Sequence, residues 1–169
     1  MTFSNRATFQ INRRRALAVV TVAIVNLTMP ATLRASRRPP RVLFICQFGT
    51  AKSAIARELF KRRAAQRGIA VTVFSRGITP EPHLAPATRE RLQAEGVDLD
   101  HEGVQMLRSA DLSAADIVVA FNPLPSSMHK KNVRDWSALP SVNDSYPLAR
   151  ADLNLRIDLL LDSIKQMHR

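Results

Sequence analysis

The chain has 169 residues, enough for one domain and short for two. Hydrophobic residues make up 46% of the chain and charged residues 23%, a balance typical of globular proteins rather than disordered ones. The single cysteine excludes an intrachain disulfide, a cysteine-based zinc cluster and an iron–sulfur site.

The net charge of +11 is distributed unevenly along the chain. Residues 1–40 contain seven arginines and no lysine or acidic residue, so the rest of the chain carries a net charge of only +4. A surface that binds nucleic acid would need more positive charge on the body and aromatic side chains among the basic ones. We therefore predict no nucleic-acid partner.

Residues 1–40 have the composition of a signal peptide followed by a linker, which leaves residues 41–169 as the domain. Three arginines at positions 13–15 precede an apolar run at residues 16–25, and the small residues Ala31 and Ala35 follow it as possible cleavage sites. The string NRRRALA resembles a twin-arginine export signal. The pattern predicts a periplasmic or secreted protein.

An alternative interpretation of the leader is a misassigned start. Translation from Met29 would give a cytoplasmic protein with a short basic tail. A stable membrane span is not expected in either case, because the uncharged apolar run has ten residues and a span needs about 20.

Beyond the linker, short apolar runs alternate with amphipathic stretches, a pattern that predicts a parallel sheet covered by helices on both faces. The predicted strands are residues 42–45, 70–74, 117–121 and a shorter one at 133–136. The predicted helices are residues 53–67, residues 85–95, and a last one with the apolar stripe Leu153, Ile157, Leu160, Leu161 and Ile164. Ligands bind such sheets beyond the carboxyl ends of the strands. This rule places the site at the turn that leaves the first strand, residues 46–53.

That turn reads CQFGTAKS and joins a buried strand to a helix. Its backbone N–H groups can surround a tetrahedral oxyanion, and the start of the helix adds unpaired N–H groups and positive dipole charge. Cys46 would lie beneath this cradle, where the same field favours the nucleophilic thiolate. Lys52 adds a positive charge, and Ser53 can donate its hydroxyl to the thiolate or cap the helix. A lone cysteine at the end of a buried strand is, however, often only a small hydrophobic residue.

The run VLFICQFGTAKSAIA resembles the phosphate loop of low-molecular-weight protein tyrosine phosphatases and the related arsenate reductases, whose pattern is cysteine, five residues, arginine, then serine or threonine. We call residues 46–53 the phosphate loop. The resemblance extends to about residue 167 and implies a four-stranded parallel sheet in a three-layer, flavodoxin-like α/β fold. Further segments that carry it are Ser75-Arg76-Gly77, Glu95-Gly96-Val97-Asp98 with His101, residues 115–119, and Asp144-Ser145-Tyr146.

This resemblance also implies roles for individual residues. Cys46 would be the nucleophile that forms a phosphocysteine, and Asp144 the general acid that protonates the leaving oxygen and later activates water. Tyr146 would line the entrance and stack on an aromatic substrate. Asp144 also has the ordinary alternatives of a helix cap or a solvated loop carboxylate. The remaining predicted substrate-binding residues are those of the phosphate loop: Gln47, Phe48, Gly49, Thr50, Ala51 and Ser53, with Lys52 counted as catalytic.

Three departures from the family pattern stand out. Lys52 replaces an arginine that would grip two phosphate oxygens at once, so we expect weakened activity. Gly49 replaces the usual asparagine and removes a side chain that supports the loop. Ala51 stands near a position where many members carry a second cysteine, so this chain cannot relay oxidation through cysteines of its own.

Three functions fit these residues. The first is a phosphomonoester hydrolase acting on phosphotyrosine or a small aryl phosphate. The second is a module that binds phosphate or arsenate without turnover, and the third is an arsenate reductase that uses an external thiol. No cofactor is predicted, and no metal either, because the four histidines lack the spacing of metal ligands.

Overall fold

The computed structural model describes residues 38–96, 103–128 and 130–167. Residues 1–37, which contain the predicted signal peptide, lie outside these residues, as does part of the resemblance segment, from Val97 to His101. Within the described ranges, no helix is both long enough and apolar enough to cross a membrane.

Four parallel strands form one sheet in the order β2-β1-β3-β4. The strands are β1 (Arg41–Cys46), β2 (Thr72–Gly77), β3 (Ile117–Ala120) and β4 (Arg134–Asp135), and the helices are α1 (Lys52–Gln66), α2 (Pro86–Ala94), α3 (Ser109–Ala114) and α4 (Tyr146–Met167). The predicted four-stranded parallel α/β fold is thereby confirmed. Strand β1 lies between β2 and β3, so the strand order reverses at its carboxyl end, where the phosphate loop begins.

Two hydrophobic clusters pack on opposite faces of the sheet. One joins Val42 and Phe44 of β1 to the apolar faces of α1 and α4 and to Leu92 of α2. The other joins Leu43 and Ile45 to Leu112 of α3 and its neighbours. Alternate residues of β1 therefore face different layers, which explains why this strand is apolar without interruption.

Strand β2 differs from its predicted range of residues 70–74 at both ends, because it begins at Thr72 and continues to Gly77. Register pairing with β1 extends as far as Cys46 opposite Gly77. Ser75 in this extension is buried and has a buried partner, since Arg57 of α1 donates from Nη1 to Ser75 Oγ at 3.1 Å. A pattern of apolar residues could not show this extension.

Helix α3 was not predicted at all. It has six residues and one buried apolar side chain, Leu112, which is too little to produce a periodic pattern. Its first turn is closed by the side chain of Asp111, which accepts from the Arg108 main-chain N–H at 2.9 Å. The side chain of Lys130 donates to the carbonyls of Leu112 and Ala115 at the other end, at 2.9 Å each.

Candidate active site

The main chain of the phosphate loop is held in place by hydrogen bonds with two neighbouring segments. The Gln47 N–H donates to Asn122 Oδ1, just after β3, at 2.9 Å. On the other side, the N–H groups of Thr79 and Glu81 donate to the carbonyls of Gln47 and Phe48, at 2.8 and 3.2 Å. The loop is therefore braced between the ends of β2 and β3.

The sulfur of Cys46 lies inside the curve of the loop. The Gly49 N–H donates to Sγ at 3.2 Å, and Ser53 Oγ lies 3.0 Å from it. Cys46 is only 5% exposed, but these two polar groups contact its sulfur directly. The sulfur thus accepts a hydrogen bond from the loop main chain and has a hydroxyl at hydrogen-bond distance, so its setting is not the purely apolar one of a cysteine packed as a small hydrophobic residue.

Helix α1 starts at Lys52 and adds its positive end to the same place. Its N-cap residue, Ala51, offers no side-chain hydrogen bond to the first turn, and that turn contains no acidic residue. The first N–H groups of a helix have no partner within the helix. A bound oxyanion can therefore supply the cap that this helix lacks.

Position 49 requires glycine for two reasons: the backbone conformation and the lack of space for a side chain. Its φ of +73° lies in the left-handed region, and a Cβ at this position would come within 2.6 Å of Val104 Cγ1. An asparagine, which tolerates positive φ, would therefore not fit beside Val104. Val104, a residue that sequence reasoning does not single out, occupies the space that a side chain at position 49 would need.

Lys52 is half-buried and reaches the loop that follows β4. Its Nζ donates to the carbonyl of Leu139 at 3.1 Å. An ammonium group carries three donors, so this contact leaves two for an anion. The predicted contact of Lys52 with an oxyanion stays a prediction.

The other predicted loop residues differ in exposure. Thr50 is buried and donates from Oγ1 to Glu81 Oε2 at 3.4 Å, whereas Phe48 is 50% exposed on the rim. Gln47 donates from Nε2 to Thr79 Oγ1 at 2.8 Å, and Ala51 packs partly buried against the larger core cluster. Phe48 is thus the apolar side chain of the loop that an aromatic ligand can contact.

Asp144 is exposed in the loop between β4 and α4. That loop is closed by Ser141, whose Oγ accepts from the main-chain N–H groups of Asn143 and Asp144 at 3.3 and 3.4 Å. Ser141 therefore closes the turn, and the Asp144 carboxyl remains on the surface. Its role as general acid stays a prediction.

Tyr146 is the first residue of α4, and both its ring and its hydroxyl contact other side chains. Its hydroxyl donates to Glu95 Oε1 at 2.8 Å, and the Arg91 guanidinium lies 4.6 Å from the ring centroid. Burial, together with the hydrogen bond to Glu95, raises the pKa of Tyr146, so the phenol stays protonated. Stacking of Tyr146 on a substrate stays a prediction, and Arg91 and Glu95 are contacts that the sequence did not indicate.

The phosphate loop lies inside a segment that matches a known family. A sequence model of the low molecular weight phosphotyrosine protein phosphatases matches residues 41–137, more than half of the chain. The chain belongs to this family. It is accordingly a phosphatase-like enzyme. The matched residues include the phosphate loop, whereas Asp144 and Tyr146 lie beyond them. Curated protein sequences give no significant match.

Solved structures share the fold of this low-molecular-weight phosphatase. YfkJ from Bacillus subtilis superposes with a TM-score of 0.69 at 18% identity, over 79% of this chain and 99% of that one. The low-molecular-weight protein tyrosine phosphatase of T. tengcongensis gives a TM-score of 0.58 at 22% identity, over 73% and 99%. The thioredoxin-dependent arsenate reductase of Corynebacterium glutamicum gives 0.62 at 26% identity, over 78% of this chain but only 65% of that one.

Gly77, at the end of β2, lies directly against the phosphate loop. A Cβ there would approach the Phe48 carbonyl carbon to 2.8 Å and the Gly49 nitrogen to 3.0 Å. We therefore expect Gly77→Ala to displace the loop and lower kcat/KM for an aryl phosphate by about 100-fold, since small misplacements in an active site cost that much.

Gly103→Ala is the matched control, because nothing lies within 4 Å of a Cβ at that position. It should retain both activity and thermal stability. Full activity in a folded Gly77→Ala protein would show that the loop does not depend on this close approach.

Proposed function

We propose that this phosphatase hydrolyses phosphate monoesters of phenols, phosphotyrosine among them, with Cys46 as nucleophile and Asp144 as general acid. The observation that supports this most strongly is the sulfur inside the loop, 3.2 Å from the Gly49 nitrogen and 3.0 Å from Ser53 Oγ, at the start of an uncapped helix. Thiolate and oxyanion are stabilised by the same donors. An anion bound there would lie above the attacking sulfur.

In the first step the Cys46 thiolate attacks phosphorus, and the bond from phosphorus to the phenolic oxygen breaks. Asp144, as the carboxylic acid, gives its proton to that oxygen, so a neutral phenol leaves. The loop N–H groups and Lys52 stabilise the negative charge on the transferring phosphoryl group.

In the second step water attacks the phosphocysteine. Asp144, now a carboxylate, accepts a proton from that water while the phosphorus–sulfur bond breaks. Inorganic phosphate leaves and the Cys46 thiolate is regenerated. The Ser53 hydroxyl, 3.0 Å from the sulfur, can stabilise the thiolate as it departs.

Lysine at position 52 limits this chemistry in our proposal. An arginine would bind two phosphate oxygens through a planar fork, whereas lysine offers a single mobile charge. One charge-assisted contact contributes about 1.5–3 kcal/mol, or roughly a factor of ten to a hundred in rate. We therefore expect Lys52→Arg to raise kcat for an aryl phosphate about tenfold.

Steady-state kinetics on Lys52→Arg, with Lys52→Met as the uncharged control, checks this expectation. The methionine variant should be slower than the unaltered enzyme. Unchanged or lower turnover in Lys52→Arg would mean that the loop is adapted to lysine, a result that its contact with the Leu139 carbonyl would then explain.

Reduction of arsenate with an external thiol is the second candidate. Two observations favour it: the likeness to a thioredoxin-dependent arsenate reductase at 26% identity, and the single cysteine, which leaves the remaining thiols to a partner. In that case Cys46 would attack arsenic instead of phosphorus, and an added thiol would be oxidised.

One set of assays on the purified domain separates the candidates. Release of phenol from phenyl phosphate supports the phosphatase. Arsenate-dependent oxidation of added thiol, without phenol release, supports the reductase. Binding of inorganic phosphate with neither reaction supports a module that holds the anion without turnover and would overturn both enzymatic proposals.

A further inference from the structure

The loop that carries Asp144 is held on both sides by one side chain from another helix. We call residues 140–145 the acid loop. Arg91 of α2 donates from Nη1 to the Val142 carbonyl at 2.9 Å, and its guanidinium lies over the ring of Tyr146. Arg91 therefore contacts the chain two residues before Asp144 and two residues after it.

The contact with Tyr146 belongs to a wider junction between α2 and α4. Glu95 follows α2 directly, and it accepts from the Tyr146 hydroxyl at 2.8 Å and from Arg150 Nη2 at 2.7 Å. Partial burial raises the pKa of Glu95, but hydrogen bonds from Arg150 and Tyr146 outweigh this effect and hold the pKa below its usual value. Glu95 is therefore ionised at neutral pH, and the first turn of α4 is fixed to the end of α2.

Helix α2 is in turn fixed to the phosphate loop. Its N-cap residue, Ala85, donates its main-chain N–H to the Thr50 carbonyl at 3.4 Å. Earlier in the same connection, the N–H of Glu81 donates to the Phe48 carbonyl at 3.2 Å. A continuous series of contacts thus runs from the phosphate loop through α2 and Arg91 to the acid loop.

We propose that Arg91 is a positioning residue, which sets the place of the Asp144 carboxyl relative to the Cys46 sulfur. The inference rests on the proposed phosphatase function, because it concerns the delivery of a proton to the leaving oxygen. Arg91 acts through the Val142 carbonyl and the Tyr146 ring. Its loss leaves the nucleophile and the phosphate loop in place and displaces the general acid.

A displaced acid has a distinct kinetic signature. A poor leaving group such as phenol needs the proton, whereas 2,4-dinitrophenol leaves as a stable anion and needs it little. We expect Arg91→Met to lower kcat for phenyl phosphate about tenfold. The kcat of the same variant for 2,4-dinitrophenyl phosphate should stay within about threefold of that of the unaltered enzyme. Placed on Asp144→Asn, the same substitution should have little further effect on either substrate, since the acid is already absent.

Two more variants control the comparison. Gln93→Met makes a similar change at an exposed position of α2 and should behave as the unaltered enzyme. Arg91→Lys keeps a donor for the Val142 carbonyl and should recover part of the phenyl phosphate activity. If Arg91→Met does not fold, Arg91→Lys serves as the test variant. Its loss of kcat for phenyl phosphate should again be larger than its loss of kcat for the dinitrophenyl ester.

Equal losses on the two esters, or a full additional loss on the Asp144→Asn background, would overturn the positioning role. Failure of the proposed function gives a different result: the unaltered enzyme would then hydrolyse neither ester. That result would overturn the inference together with the function on which it rests.

Discussion

Cys46→Ser is expected to remove the hydrolysis of aryl phosphates, with a loss of about 10⁴-fold or more. A serine hydroxyl is not ionised at neutral pH, so the Gly49 N–H and the Ser53 hydroxyl would face a poor nucleophile. Oxygen is also smaller than sulfur and would not fill the same space. The measurement is the rate of phenol release with phenyl phosphate as the substrate.

Binding of inorganic phosphate is the control for this variant. The serine hydroxyl can still accept from the Gly49 N–H and the other loop N–H groups are unchanged, so calorimetry should still detect phosphate binding to a protein that melts near the temperature of the unaltered enzyme. Substantial hydrolysis by Cys46→Ser would contradict the account. Loss of phosphate binding together with activity would instead indicate a collapsed loop, and Cys46→Ala would then replace it as the variant.

Asp144→Asn is expected to lower kcat for phenyl phosphate by about 100-fold, the usual contribution of a general acid. Asparagine keeps the shape of the side chain but cannot deliver a proton. The loss for 2,4-dinitrophenyl phosphate should be much smaller, because that leaving group needs no proton. Parallel kinetics on the two esters measure the difference.

Asp162→Asn, near the far end of α4, is the matched control and should leave both rates unchanged. If Asp144→Asn loses equal activity on the two esters, or none on either, another group must protonate the leaving oxygen. The exposed position of Asp144 would then be that of an ordinary solvated carboxylate.

Local patterns in the sequence predict much of the fold. The uninterrupted apolar run of β1 indicated a strand buried on both faces, and the structure places its alternate residues in two separate clusters. The stripe from Leu153 to Ile164 indicated a helix, which is observed as α4. Alternation of strands and helices then predicted a parallel sheet, and the rule for such sheets predicted where a ligand would bind.

Features that depend on contacts between residues far apart in sequence could not be predicted from those patterns. The extension of β2 depends on pairing with β1 and on the buried Arg57, neither of which has a local signature. Asn122 could have been suspected, because it follows a predicted strand at the same edge of the sheet. Gly77 lies in a segment that resembles the family, but nothing local shows that its lack of a side chain matters. Arg91 has no signal in the sequence, since its partner is a carbonyl 51 residues away.

In the proposed mechanism, the Cys46 sulfur inside the phosphate loop takes up the phosphoryl group. Mass spectrometry of the enzyme quenched in acid during turnover of 2,4-dinitrophenyl phosphate tests it most directly. We expect a mass increase of one phosphoryl group that maps to Cys46 and disappears in Cys46→Ala. Turnover without that adduct at any quench time, combined with unimpaired hydrolysis by Cys46→Ala, would contradict it.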